Sequence, residues 1–264
     1  MAAISAVMPS YRVIEFPSLD STNRHAIAHL RELADGDVIQ AGFQTAGRGR
    51  WDRRWFSDVP GNLCVSLVLK PCGVPATLPL ANLSQLLAVS LCRVLEEHGI
   101  RPALKWPNDI LISGRKIAGI LAETVVEGAE FLGLVLGIGV NLNLTESSLA
   151  LIDQPATSLN LLVKAEVSVA EFREALLGDF FSRYEKFLRE GFRLIRAEYC
   201  RRCEFLGTEV VVRSPQSSWR GIAKDIVESG ELELEGPDGQ RQRVVLGEMH
   251  FAVAAPPLDS FRNS

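Results

Sequence analysis

The chain changes its hydrophobic period near Gly207, and that switch limits what it can fold into. Upstream, Phe172, Leu176, Phe180, Tyr184 and Phe187 recur at spacings of three and four, the mark of one buried helical face. Downstream, short alternating segments at residues 210–212, 221–227, 232–234 and 244–246 are broken by Ser-Pro, Ser-Gly and Pro-Asp-Gly turns. The pattern predicts an α+β protein with a main unit over residues 1–205 and a small β-barrel over residues 206–264. With 264 residues, 47% of them hydrophobic, the chain can bury a large core.

Within the main unit, strands are predicted at residues 12–16, 38–43 and 63–69. The polar run at residues 20–23 can cap a helix through about residue 34. Leu83, Leu87, Leu91 and Val94 mark a core helix over residues 80–98, which Gly99 stops. Residues 111–117 read as strand, tight turn and strand, and the glycine-rich apolar run 131–140 as another buried strand. Helices return over residues 169–202.

Composition narrows the function. A net charge of -4 and a pI near 5.7 argue against a general nucleic-acid surface, so any anion binding is local. Residues 1–10 lack a basic start followed by an apolar run, and no segment approaches the length of a membrane span. These features predict a cytoplasmic protein without membrane or DNA partners. The five cysteines are an odd count, and Cys64, Cys72 and Cys92 are scattered, which argues against a disulfide framework. Cys200 and Cys203 have the spacing of half a zinc site, but no second pair completes it, and no structural metal is expected. His25 and His29 lie four apart without the glutamate of a zinc-protease helix and read as solvated.

Two segments carry the chemistry. Residues 44–55, QTAGRGRWDRRW, hold four arginines, two glycines and two tryptophans, which suits a mobile anion-binding flap better than a strand or helix. Glycine admits close backbone approach, and arginine offers a planar fork of donors to carboxylate or phosphate. Arg48 and Arg50 can therefore grip an acid and a nucleotide together, although an arginine-rich surface loop has the same composition. In the second segment, KWPNDI runs on to RKIAGI. There Trp106-Pro107 restricts the backbone, Asn108 and Asp109 can hydrogen-bond, and Lys116 follows a tight turn beside an apolar strand. A lysine so placed needs water or an anion for its ammonium.

Taken in order, LDSTN, QTAGRGRWDRRW, KWPNDI, RKIAGIL and GIGVNLN closely resemble the catalytic core of biotin protein ligases, over about residues 12–255. The resemblance implies an α+β catalytic domain related to class II aminoacyl-tRNA synthetases, followed by an SH3-like barrel. It implies that biotin attacks ATP to give biotinyl-5'-AMP, and that a lysine of a biotin carboxyl carrier protein then takes the biotinyl group. ATP and Mg²⁺ are the implied cofactors, with biotin as substrate.

Carried over by position, Ser21, Thr22, Asn23 and Gln44 match biotin-contacting residues, and Arg48, Gly49 and Arg50 match the segment that folds over biotin and phosphate. Lys116 matches the lysine that meets the biotin carboxylate and bridging phosphate, so Lys116 and Arg50 are the candidate catalytic residues. Trp106, Asn108 and Asn141 join Arg48, Arg50 and Lys116 as candidates on the ATP side. Asp109 either positions Lys116 or binds Mg²⁺.

Asp52 stands where many of these ligases have glycine, which predicts a less flexible flap. Some relatives carry an N-terminal winged-helix DNA-binding domain, and the eleven residues before the first strand leave no room for one, so a monofunctional ligase is expected. A lipoate-protein ligase and a non-catalytic nucleotide- or RNA-binding module are the alternatives. Monomer and homodimer both remain open.

Overall fold

The structure, a computed structural model, describes residues 11–57, 59–71 and 80–252. Cys72, residues 1–10 and the last residues of the expected barrel segment lie outside these, as does the Asp52 side chain. The chain begins β1 (Arg12–Phe16), α1 (Thr22–Ala28), β2 (Asp37–Ala41), β3 (Leu63–Leu69) and α2 (Leu83–Glu97). It continues β4 (Ala103–Lys105), β5 (Asp109–Ile112), β6 (Arg115–Glu127), β7 (Glu130–Val140), α3 (Glu146–Leu149), α4 (Leu159–Val163), α5 (Val169–Glu190) and α6 (Arg196–Arg201). Then come β8 (Glu209–Arg213), β9 (Ser218–Ile226), β10 (Leu232–Glu235), β11 (Arg241–Val244) and β12 (Glu248–Phe251).

Strands β1 to β7 form one sheet in the order β1-β2-β3-β7-β6-β5-β4, parallel between β1 and β2 and antiparallel elsewhere. Because side chains alternate along a strand, β3 sends Leu63, Val65, Leu67 and Leu69 into the core under α2 and α5, and Val68 into a second core under α1. Helix α5 completes the first core with Phe172, Leu176 and Phe180, each contributing roughly 1.5–3 kcal/mol by burial. Helix α1 covers only part of the opposite face. The remainder of that face is where the cavity described below forms.

Helix α1 starts where expected, with Ser21 as N-cap accepting from the Arg24 amide at 3.5 Å. It ends at Ala28, short of residue 34. The Leu30 amide turns to Ile27 O just past that end, and further on Gly36 at φ 85° and the Asp37 carboxylate, which takes the Ala34 amide at 2.8 Å, shape the entry to β2. His25 and His29 are half-buried, not solvated: their rings stack at 4.3 Å, and Phe16 tilts onto His25. Burial, and then the neighbouring His29, pull the His25 pKa below its ordinary value.

Strands β8 to β12 form a separate antiparallel sheet in the order β11-β10-β9-β8-β12. Of the expected segment 244–246, only Val244 belongs to a strand; Val245 and Leu246 are exposed. Three side chains of the main unit hold the turn between β9 and β10. Asn82 Nδ2 donates to Ser229 O at 2.6 Å, and Gln85 Nε2 and Trp106 Nε1 donate to Gly230 O at 2.9 and 3.3 Å. The thiols of Cys200 and Cys203 meet backbone carbonyls, and no cluster able to hold a metal occurs among the described residues. No described helix is long and apolar enough to cross a membrane.

Candidate functional site

Strand register assembles the floor of the site. Cys64 on β3, Gly139 on β7, Gly119 on β6 and Asp109 on β5 pair in one row across the sheet. Ser66, Gly137 and Leu121 form the next row, and Val68, Val135 and Glu123 the one after. Small residues in the first two rows leave space that larger side chains would fill. Burial pushes the Cys64 thiol up to about 12, so it stays protonated and serves as a small apolar surface.

Over this floor lies a cavity of about 600 Å³. Ser21, Thr22, Asn23, Gln44, Arg48, Gly49, Arg50, Asn108, Asp109 and Lys116 all line it. A chain of polar contacts orders one end. The Thr22 amide donates to Gln44 Oε1 at 2.8 Å, and Gln44 Nε2 donates to Ser57 Oγ at 3.1 Å. Ser66 Oγ sits 2.8 Å from Thr22 Oγ1 and 2.5 Å from Asn23 Oδ1, while Asn23 Nδ2 donates to Glu123 Oε2 at 2.8 Å. Buried amides and hydroxyls fixed in this way present a rigid pattern of donors and acceptors.

The cations Lys116, Arg48 and Arg50 line the same cavity. Lys116 Nζ lies 2.8 Å from Asp109 Oδ1, with both side chains less than one-fifth exposed, and 5.7 Å from the centre of the Trp55 ring. The anion that a lysine in this setting requires is therefore Asp109. Arg48 pairs with Glu123 at 3.0 Å. Arg50 donates to Asn108 Oδ1 at 3.2 Å and to Gly247 O at 3.0 Å, and burial draws its pKa down.

The Arg/Gly segment is more ordered than its composition suggests. An antiparallel bridge joins Arg48 to Arg54, and the Gly49 and Trp55 amides donate to Arg53 O and Gly47 O. At its tip Trp51 takes φ 52° and ψ 50°, the left-handed region that glycine favours, with the Arg50 guanidinium 4.7 Å from its ring centre. Arg53 ties the segment to the C-terminal sheet through Glu248 at 2.6 Å.

Two other candidates lie away from this cavity. Trp106 is buried beneath a second one, and Asn141 lines neither. Asn141 Nδ2 donates to Thr157 O at 3.0 Å, but its buried Oδ1 finds no partner among the described residues. The loop before Thr157 is laced to Lys116: the Lys116 amide donates to Pro155 O, and the Thr157 amide donates to Lys116 O.

The sequence profile of the Biotin/lipoate A/B protein ligase family matches residues 15–141, and that of the Biotin protein ligase C terminal domain matches residues 205–251. Over 240 residues the chain is 35% identical to a biotin–[acetyl-CoA-carboxylase] ligase of Paracoccus denitrificans, covering 88% of this chain and 97% of the relative. This chain belongs to the biotin protein ligase family. It is also 32% identical over 228 residues to the bifunctional ligase/repressor BirA of Bacillus subtilis, covering 84% of this chain and 68% of that one. Among solved structures, the Aquifex aeolicus biotin protein ligase in complex with biotin and ATP superposes with a TM-score of 0.77 at 26% identity, covering 90% of this chain and 97% of that one. The resemblance of motifs and the mixed α+β architecture thus agree with family membership.

Trp55, Gly119, Gly137 and Gly139 stood inside the quoted motifs without a role, and Glu123, Glu248 and residues 151–154 drew no notice, although all of these except Glu123 line the first cavity. Glycines inside apolar strands were the available signal, since a strand glycine marks close approach of another group. Glu123 and Glu248 gave none, because their partners are remote in the chain.

Proposed function

We propose that this protein joins biotin to ATP as biotinyl-5'-AMP and passes the biotinyl group to a lysine of a biotin carboxyl carrier domain. The observation that carries this reading is the cavity itself, which brings an ordered polar pattern from Ser21 to Asn23 and Gln44 together with the cations Lys116, Arg48 and Arg50. In the first step a biotin carboxylate oxygen attacks the α-phosphorus, and pyrophosphate leaves with the electron pair of the broken P–O bond. In the second, the neutral lysine nitrogen attacks the carbonyl carbon, the anhydride C–O bond breaks onto AMP, and the amine proton is released to solvent.

Ser21, Thr22, Asn23 and Gln44 would bind the ureido head of biotin, and Lys116 and Arg50 would meet charge developing on the carboxylate and α-phosphate. Each charge-assisted hydrogen bond to those oxygens contributes roughly 1.5–3 kcal/mol, and the gain counts where charge grows in the transition state. Lys116 would exchange Asp109 for phosphate. Asn108 would stand beside the phosphates with Trp106 supporting that wall, whereas Asn141, which lines neither cavity, would act on the nucleotide side only through the Thr157 backbone it holds and that backbone's bond to Lys116. Mg²⁺ would enter with ATP, neutralising phosphate charge and held chiefly by phosphate oxygens, as that ion needs only one or two protein carboxylates. Asp109, Asp153 and Glu248 are the carboxylates lining the cavity. We place the boundary of the catalytic domain at residue 205, where the second family profile begins.

Biotin-dependent exchange of labelled pyrophosphate into ATP tests the reading, with lipoate run in parallel. Exchange with biotin alone, reduced about a hundredfold or more in Lys116→Ala, is expected, the loss typical of one removed oxyanion-stabilising donor. Exchange with lipoate alone would reassign the acid. Exchange with neither would leave a nucleotide-binding module.

A further inference from the structure

Thr22, Asn23 and Ser66 are buried and joined in one run of hydrogen bonds at the first cavity. A hydroxyl both donates and accepts, so the direction of its hydrogen decides what it offers a ligand. In this run Glu123 sets the direction. Its Oε2 takes Asn23 Nδ2 at 2.8 Å, and Leu121 O takes the same nitrogen at 3.2 Å. Both neighbours are acceptors, so the Asn23 amide sits only one way round, with both Nδ2 hydrogens spent. Asn23 Oδ1 carries no hydrogen and lies 2.5 Å from Ser66 Oγ, so Ser66 gives its single hydrogen there. The 2.8 Å contact between Ser66 Oγ and Thr22 Oγ1 then has Thr22 as its donor. Thr22 Oγ1 is left with lone pairs and no free hydrogen.

We propose that Glu123 is a positioning residue for the acid, fixing the direction of this relay so that Thr22 meets the ligand as a hydrogen-bond acceptor. The proposal rests on the ligase reading and deepens it by saying what the acid site selects. A cyclic urea brings ring N–H donors, which suit an acceptor held ready. A dithiolane brings none and leaves that buried acceptor unpaired, a loss that sites of this kind turn into discrimination. Glu123 does not line the first cavity, so it acts through Asn23 and not on the ligand.

The placement of Glu123 suits this task. Leu121 and Glu123 lie two apart on β6, which brings a carbonyl and a carboxylate to the same nitrogen. Arg48 stands 3.0 Å from Glu123 Oε1, and the Glu123 side chain is 22% exposed. The carboxylate is thereby held with its counter-charge beside it, since a largely buried carboxylate without a cation is a costly state.

Biotin-dependent pyrophosphate exchange by the full chain tests the proposal with Glu123→Ala, Glu123→Gln and Ser66→Ala. Glu123→Ala should raise the KM for biotin about tenfold or more, the loss that follows one charge-assisted hydrogen bond, with kcat and the KM for ATP within about threefold of the unaltered protein. Glu123→Gln keeps an oxygen for Asn23 Nδ2 and should bring the biotin KM back to within about threefold. Ser66→Ala should resemble Glu123→Ala, and the two combined should cost no more than the larger single loss, because either one breaks the same relay.

An unchanged biotin KM in Glu123→Ala would overturn the proposal. So would a glutamine variant no better than the alanine one, or losses that multiply in the double variant, because Glu123 would then be a general support for the fold. Should Glu123→Ala fail to fold, an unchanged biotin KM in Ser66→Ala would overturn it alone. No biotin-dependent exchange in the unaltered protein would overturn the ligase reading and this proposal with it.

Discussion

Gly139 shows how much one methyl group can decide. A Cβ there would lie 2.3 Å from the Trp55 ring, and one at Gly137 would lie 2.0 Å from Asn23 Oδ1. Neither distance is tolerable, so alanine at either position must displace a cavity side chain. For Gly139→Ala we expect biotin affinity by calorimetry to fall about tenfold or more, the cost of a displaced pocket group, while circular dichroism stays native. Unchanged affinity would mean that Trp55 does not shape the acid site. At this scale the motifs had a spatial counterpart: Ser21, Thr22, Asn23, Gln44, Arg48, Arg50 and Lys116 line one cavity, and Trp106 and Asn141 do not. What the motifs did not reveal is the company they keep. Asp109 was legible as a polar neighbour of Lys116, but the choice of ion-pair partner required the β5–β6 hairpin to fold.

Among the elements, the Arg/Gly segment holds contacts that its composition did not announce. It was read as a mobile loop, yet it carries a bridge between Arg48 and Arg54 and an ion pair from Arg53 to Glu248. That pair is partly exposed, so its worth is about 0.2–1 kcal/mol. For Glu248→Gln this predicts tryptic cleavage within the segment faster by roughly twofold to fivefold without ligand, and equal rates would show that the latch is idle. Biotin plus ATP should slow cleavage in the unaltered protein. The regular elements were legible wherever period and length were strong, as in β3, α2, β7 and α5. Strands β4 and β12, with three and four residues, are too short to establish a period. Helix α1 ends early, where the Leu30 amide turns to Ile27 O instead of continuing the helical ladder, a local choice that propensity does not register.

Across the whole molecule, ion pairs tie distant segments and make stability depend on pH. Burial raises the Asp37 carboxyl, but hydrogen bonds from Arg12 and the Ala34 amide outweigh it and hold its pKa below the usual range; the Arg202 guanidinium does the same for Glu96. A carboxylate with a depressed folded-state pKa favours the folded state above its unfolded pKa, and that contribution is lost as pH falls through the folded value. His25 and His250, lowered mainly by burial, resist protonation when folded, so their penalty begins as pH drops below about 6.5. Urea midpoints should therefore hold steady above about pH 7, soften below about 6.5 and fall more steeply below about 4.5, with Glu96→Gln flattening the last phase. A midpoint that rises on acidification would contradict this. The sequence by itself determined the change from helical to alternating period near Gly207 and the chemical kinds of group available to bind an anion, since both are written in neighbouring residues. Tertiary structure alone decided that Cys64, Gly139, Gly119 and Asp109 share a row, and that Arg48 meets Glu123 across 75 residues and Arg53 meets Glu248 across 195. Strand register and sheet-to-sheet placement set those distances, and they depend on packing between segments that no local period can specify.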